Sequence, residues 1–256
     1  LAATPDSGVT EDTETGTIPA DTARSVLTTL VNREAALAFL DANGQPITDE
    51  DRQAFLDTVP EDDPLFDYPE EVRDIVVDLN AAQTARARIA APAADELQRR
   101  YEEEPETLGV VCIRHVVVGT EAAADDVLAR LDAGESIADV AADVSVDTST
   151  ASNGGAVEGG DGSACVPAAA LRANAADLAD IALVSRPGTP TGPAQSQLGW
   201  HVVEARPYDE VADSLAALFD ASAGDLLFDS ALGDIDVDVD PRYGRWDALS
   251  RRVVEL

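Results

Sequence analysis

The sequence has no lysine and no methionine, only two cysteines and two histidines, and 4% aromatic residues. Each shortage excludes something. Without a Cys-x-x-Cys pair there is no dithiol redox centre, and two Cys with two His at these spacings match no zinc-ligand pattern. All 17 basic residues are arginine, set against 50 acidic ones, for a formal net charge of −33. A sequence-independent grip on phosphate backbones or anionic lipid needs clustered Lys and Arg, so nucleic acid is not an expected partner. No apolar run approaches the roughly 20 residues of a membrane helix. With no methionine, Leu1 is not a natural start. The polar opening Leu1-Ala2-Ala3-Thr4-Pro5-Asp6-Ser7-Gly8 reads as a tether left behind by a removed signal or lipoprotein segment. The absence of Lys beside abundant Ala and Asp points to a GC-rich genome, one adapted to salt being a further reading.

What is present begins as helix. From Pro19, Val26, Leu27, Leu30, Val31, Leu37 and Leu40 recur at helical spacing until Asn43-Gly44 and Pro46. Thr48 with Asp51 three residues on reads as a capping box opening a short helix that Pro60 stops. Helical stretches over about 70–91 and 93–104 follow, with Pro92 and Pro105 as breaks. The pattern changes at Leu108. Residues 110–118 (Val-Val-Cys-Ile-Arg-His-Val-Val-Val) are rich in β-branched types and predict a buried strand. Two helices (121–132 and a second carrying Ile137, Val140, Ala141 and Val144), a glycine-rich loop over 147–162 and a helical stretch near 168–183 come next. After Pro187-Gly188, Gly199-Trp200-His201-Val202-Val203-Glu204 closes the unit as a strand.

From Tyr208 an amphipathic helix carries Val211, Leu215, Leu218, Phe219, Leu226 and Leu227 and cannot bury that face alone. The N-terminal helices are its economical partner. The predicted class is α+β: an all-α module, discontinuous in sequence, interrupted by a β-α-α-α-β domain. The predicted boundaries are 1–18 for a tether or N-terminal strand segment, 19–107 for the helical module, 108–207 for the mixed domain, and 208–256 for a C-terminal helix and strand completing the module. Asp234 to Asp240 alternates acids with Ile235, Val237 and Val239, which predicts a half-buried strand. As a calcium loop it fails, because Val239 stands where an EF-hand needs glycine. Glu61-Asp62-Asp63 and Glu102-Glu103-Glu104 read as solvated charge.

Six markers in order make the mixed domain resemble the parvulin family of peptidyl-prolyl isomerases. They are Arg114-His115-Val116-Val117-Val118, the run 131–138, Val144-Ser145-Val146-Asp147, Asn153-Gly154-Gly155, Ile181-Ala182-Leu183 before Pro187-Gly188, and Leu198-Gly199-Trp200-His201-Val202-Val203. The flanks are similar to the arms of extracytoplasmic SurA- and PrsA-like chaperones of actinobacterial type, including the closing run from Val239 to Trp246. The resemblance implies an exported folding factor, secreted or lipid-anchored at the cell surface. It would bind unfolded, proline-containing exported chains and touch the membrane only through a removed N-terminal anchor. It also implies a Cys112–Cys165 disulfide, hence an oxidising compartment, and no cofactor or metal.

Rotation about an X-Pro bond meets a barrier of roughly 20 kcal/mol and forms no new covalent bond, so such a site needs no nucleophile. It needs an apolar slot for the ring and polar groups that favour the twisted amide. By resemblance His115, Asp147 and His201 are the catalytic set, and Val157, Leu171, Ala175, Leu198 and Trp200 bind substrate. The family walls its proline pocket with Met and Phe. Here Leu171 and Ala175, or in another alignment Cys165 and Ala169, take those places, and neither supplies an aromatic ring. Two readings stay open: an isomerase, and a non-catalytic holdase or scaffold that keeps the fold to grip peptide.

Overall fold

Helix α1 (Ala20–Ala42) starts after Pro19 and ends where Asn43 and Gly44 turn the chain, Gly44 taking a positive φ of 67°. In this computed structural model, which describes residues 18–248 and 250–256, most of the expected tether lies outside the described residues. The described residues form two compact units, those up to 90 with 231–256 and those from 91 to 230.

In the first unit, α2 (Asp49–Leu56) opens with the expected capping box: the Thr48 hydroxyl accepts from the Asp51 N–H, and the Asp51 carboxylate accepts from the Thr48 N–H. Helix α3 (Glu70–Arg86) packs along α1 and α2 and contributes Val77, Ala81, Ala82 and Ala85 to a core shared with Ala36 and Leu40. Two carboxylates are buried there, Asp78 with two arginines and Asp51 with one. Asp78 accepts from Arg33 and Arg52, and Asp51 from Arg88 at 2.5 Å. A small antiparallel hairpin, Arg245–Asp247 with Arg252–Val254, lies against α1, the Val253 N–H donating to Thr28 Oγ1 at 2.9 Å. The segment 235–240, predicted as a strand, forms none. Its alternation finds no partner strand with which to make a ladder.

The second unit begins earlier than the sequence suggested. Helix α4 (Ala94–Glu103) belongs to it, Leu97 and Tyr101 being buried beside Leu108 and Val110. The expected long strand breaks at Cys112 into β1 (Val110–Val111) and β2 (Ile113–Val118). Helices α5 (Glu121–Asp132), α6 (Ile137–Val144) and α7 (Thr148–Ala151) follow. Then come β3 (Val166–Pro167), α8 (Ala168–Asn174), α9 (Ala176–Leu183), β4 (Thr191–Ser196) and β5 (Gly199–Ala205). The three-stranded antiparallel sheet runs β2-β5-β4, and β1 pairs β3. Strand β4 was not anticipated: Thr-Gly-Pro-Ala-Gln-Ser lacks the apolar alternation by which strands are read. Cys112 and Cys165 continue the β1–β3 register and form a disulfide.

Helix α10 (Tyr208–Asp234) is interrupted by non-helical torsions at Ser222. Its apolar face is covered within the second unit. Val211, Leu215, Phe219, Ala223 and Leu226 are buried with Leu97, Tyr101, Leu108 and the disulfide. The back of β1 and β3 is apolar, and α4 and α10 cover it.

Candidate functional site

Along β2 side chains alternate between faces. Val116 and Val118 join Val202 under α5 and α6, with Ala124, Val127 and Val140. Ile113, His115 and Val117 point the other way. In the β2–β5 register His115 faces Val203 and Val117 faces His201, so the two histidines are diagonal neighbours on one face, ring centroids 5.5 Å apart. Both are buried. The outer edge of β2 is held by the glycine-rich loop itself. The His115 N–H donates to Gly155 O at 2.8 Å and the Val157 N–H to Ile113 O at 3.0 Å. Gly155 has φ +76°, and a Cβ there would lie 2.3 Å from His115 O, so the close approach requires glycine.

Asp147 caps α7. Its Oδ1 accepts from the Ser149 N–H (3.0 Å) and hydroxyl (2.5 Å), and its Oδ2 from the Thr150 hydroxyl (2.9 Å). His115 Nε2 is 3.0 Å from Asp147 Oδ2 and 3.0 Å from Thr150 Oγ1. An ionised carboxylate only accepts, so the ring proton sits on Nε2. His201 Nε2 meets Ser196 Oγ at 2.7 Å, and that hydroxyl also accepts from the Leu198 N–H at 3.0 Å. The Nδ1 atoms of both rings are buried without a hydrogen-bond partner among the described residues.

These surroundings keep the rings neutral. Burial pushes His201 down to about 4, and the neighbouring His115 adds to this against the pull of Asp147 and Asp177. Burial also lowers His115, opposed by Asp147. Burial alone would raise Asp147, but the hydrogen bonds from Ser149 and Thr150 and the nearby His115 hold it at about 2. Protonating His115 would place an N–H on a buried, unpartnered Nδ1, which is costly.

The sequence-expected residues divide. Val157, Leu171 and Ala175 pack with Ile113, Val203 and Leu178 on the histidine face. Trp200 packs on the opposite face, against the cluster under α5 and α6, and does not line the site. Leu198 stands 66% exposed in the β4–β5 turn. Cys165 is in the disulfide. Sequence reasoning missed Ser196, Thr150 and Ser149, although three hydroxyl residues directly after Asp147 are a signal for a capped carboxylate. It also missed the ion pair Arg172–Asp229 (3.0 Å), which ties α8 to α10 beside Leu171.

Chemically, Ser196 and His201 are spaced like a nucleophile and its base. No carboxylate orients His201 through Nδ1, however, so the pair is not a hydrolytic triad. No group of three or more potential metal ligands occurs among the described residues. What the face offers is a dry, neutral pair of rings beside one ionised carboxylate and an aliphatic cluster.

Residues 118–206 match the family described as Rotamase, PPIC-type PPIASE domain. The match includes Asp147, Ser196 and His201 and begins three residues after His115. Two curated relatives are foldase proteins named PrsA. That of Caldanaerobacter subterraneus subsp. tengcongensis (strain DSM 15242 / JCM 11007 / NBRC 100824 / MB4) is 29% identical over 126 residues, covering 47% of this chain and 38% of the relative. That of Clostridium tetani (strain Massachusetts / E88) is 31% identical over 144 residues, covering 55% of this chain and 35% of the relative. The chain therefore matches well under half the length of either. The crystal structure of peptidylprolyl isomerase (PrsA) from Bacillus anthracis is 16% identical, with 84% of this chain and 100% of that one covered and a TM-score of 0.31.

Proposed function

We propose that the chain is an exported folding factor that binds unfolded polypeptides and turns X-Pro bonds on the histidine face of its parvulin-type domain. The observation that carries this is the neutral pair His115 and His201, joined to Asp147 and Ser196, set above the aliphatic cluster around Leu171 and Ala175. A proline ring placed on that cluster puts its amide over the rings. A dry, neutral setting disfavours the polar planar amide more than the twisted one, which is the differential binding that lowers a rotational barrier. In this reading His115, Asp147 and His201 act on the amide, Val157, Leu171 and Ala175 hold the ring, and Trp200 supports the sheet from behind.

The buried Cys112–Cys165 disulfide supports an oxidising, extracytoplasmic setting. A lipid anchor and proline-rich clients belong to the same proposal. A second reading, a holdase that grips peptide without turning it, is favoured by one observation: the cluster on the histidine face contains aliphatic residues and no aromatic ring among those described. Amide-resolved titration with a reduced, carboxymethylated, proline-containing polypeptide tests the shared part of both readings. Shifts at His115, Asp147 and His201 are expected. Shifts confined to residues 20–90 would move client binding to the helical unit.

A further inference from the structure

Helix α8 reads Ala-Ala-Ala-Leu-Arg-Ala-Asn. Seven residues make about two turns, too few to persist unless neighbours hold them, and four of the seven are alanine, whose side chain reaches no further than Cβ. The first turn is held: the Ala168 N–H donates to Gly109 O at 2.9 Å, Ala168 is buried, and Cys165, three residues earlier, is in the disulfide. The second turn carries Leu171, in the aliphatic cluster of the histidine face, and then Arg172. Arg172 forks onto Asp229 of α10, its Nη1 lying 3.0 and 3.3 Å from Oδ1 and Oδ2 and its Nη2 3.3 Å from Oδ2. The two side chains are 8% and 17% exposed, whereas the arginines paired with Asp78 are 24% and 36% exposed. Asp229 stands on a fixed stretch of α10: Leu226 is buried in one cluster with Leu108 and Val110, and the Ser230 hydroxyl donates to Glu106 O at 2.7 Å.

We propose that Arg172 and Asp229 are positioning residues for the proline slot, their ion pair seating Leu171 on the histidine face. The inference rests on the reading that this face binds X-Pro peptide. An enclosed, two-pronged pair fixes both distance and angle between α8 and α10, which alanine contacts along a two-turn helix do not. Removing one partner leaves the other charge with little access to water, so α8 must move or fray to solvate it. Leu171, the neighbouring residue, moves with it. The rings are carried elsewhere: His115 on β2 against Asp147 at the start of α7, and His201 on β5 against Ser196 of β4. Loss of the pair therefore loosens the hold on the proline ring and leaves the polar groups over the amide in place. A contact made equally in the ground and transition states shows in KM and not in kcat.

The test measures Kd for a short Ala-Pro peptide, and KM and kcat for its cis/trans exchange, with the intact chain, Arg172→Met, Arg172→Lys and Asp229→Asn. Arg172→Met is expected to raise Kd and KM about tenfold and to change kcat by less than about twofold. Arg172→Lys, which keeps the charge but not the fork, should fall between. Without peptide, the amide shifts caused by Arg172→Met should centre on residues 168–175 and Val157 and spare His115, Asp147 and His201. Asp229→Asn keeps an acceptor for the guanidinium and carries the same expectation in milder form should Arg172→Met fail to fold. A lowered melting midpoint with Kd and KM unmoved would reduce the pair to a structural one and overturn the proposal, as would a loss confined to kcat. Weakened binding in the variants, with no catalysed exchange by the intact chain, keeps the positioning role and removes the isomerase. Catalysed exchange with Kd and KM unmoved by the variants removes the positioning role and leaves the isomerase.

Discussion

The unit built from α1 to α3 and the C-terminal hairpin buries nine apolar residues, four of them alanine, and two carboxylates, Asp51 and Asp78, each neutralised by arginine. The unit around the sheet buries three apolar clusters, a disulfide and both histidines. One is held to a large extent by ion pairs and small residues, the other by apolar area and a covalent link. The titratable machinery of the site sits in the second. The tryptophans divide the same way, Trp246 in the first unit and Trp200 in the second. Single-tryptophan variants, Trp200→Phe and Trp246→Phe, therefore let each unit's unfolding be followed by its own fluorescence.

The largest effect expected is from the disulfide. It closes a loop with a sequence separation of 53, and replacing both cysteines by serine should cost about 4 kcal/mol on the chain-entropy estimate. Urea denaturation should show that loss in the Trp200 transition and little change in the Trp246 transition. An equal drop in both would erase the distinction between the units.

Acid separates them next. His201 titrates at about 4 when folded, against 6.5 as its ordinary value. Between those values only the unfolded chain takes up the proton, so stability falls as pH falls from 6.5 to 4 and the contribution is gone below that. The loss is about 3 kcal/mol, and the lowered His115 acts in the same direction. The first unit has no histidine. There burial raises Asp51, but Arg88 and Thr48 outweigh it and hold the carboxyl below its ordinary 3.8, so its contribution is lost only as pH falls from 3.8 through that lower value. The pH dependence of the two denaturation midpoints checks this: the Trp200 signal should decline from pH 6.5, and the Trp246 signal only near 4.

Asp78→Ala reverses the comparison. It leaves Arg33 and Arg52, which are 24% and 36% exposed and can reach water, so a cost of about 2 kcal/mol is expected rather than the larger penalty of a fully buried orphaned charge. The midpoint followed by Trp246 should drop and that followed by Trp200 should hold. The smallest effect is ionic. Screening the −33 net charge should raise both midpoints between dilute buffer and high NaCl, by about 1 kcal/mol. A fall in the first unit alone would mean that its ion pairs outweigh self-repulsion.

The same contrast governs how much was legible in the sequence. The capping box at Thr48 and Asp51 and the β-branched strands announce themselves through local pattern, whereas the histidine pair was expected only through the family resemblance. The broader arrangement is less local. Helix α10 has a readable apolar face, but nothing in its periodicity says that Leu215 and Phe219 meet Leu97 and the disulfide. Strand β4 forms from Thr-Gly-Pro-Ala-Gln-Ser because β5 offers it an edge, a tertiary reason without a sequence mark. The break between α8 and α9 falls at Ala175, with φ −154° and ψ 74°, and no proline or glycine signals it. Ile235, Val237 and Val239 carry the period of a strand and form none. Periodicity states a capacity, and a neighbour must be present to use it. In the site, His115, His201 and Asp147 were singled out by the resemblance and not by pattern. The hydroxyls of Ser196 and Thr150 that orient them depend on which loops fold back against the sheet.

The most direct test of the account is cis/trans exchange of a short Ala-Pro peptide followed by NMR, with the intact chain and with His201→Ala, each checked for an unchanged fold by its amide spectrum. The account predicts exchange faster than the uncatalysed tens of seconds, lost in the variant. Exchange at the uncatalysed rate with the intact, folded chain would contradict it and leave the histidine face a place that grips peptide without turning it.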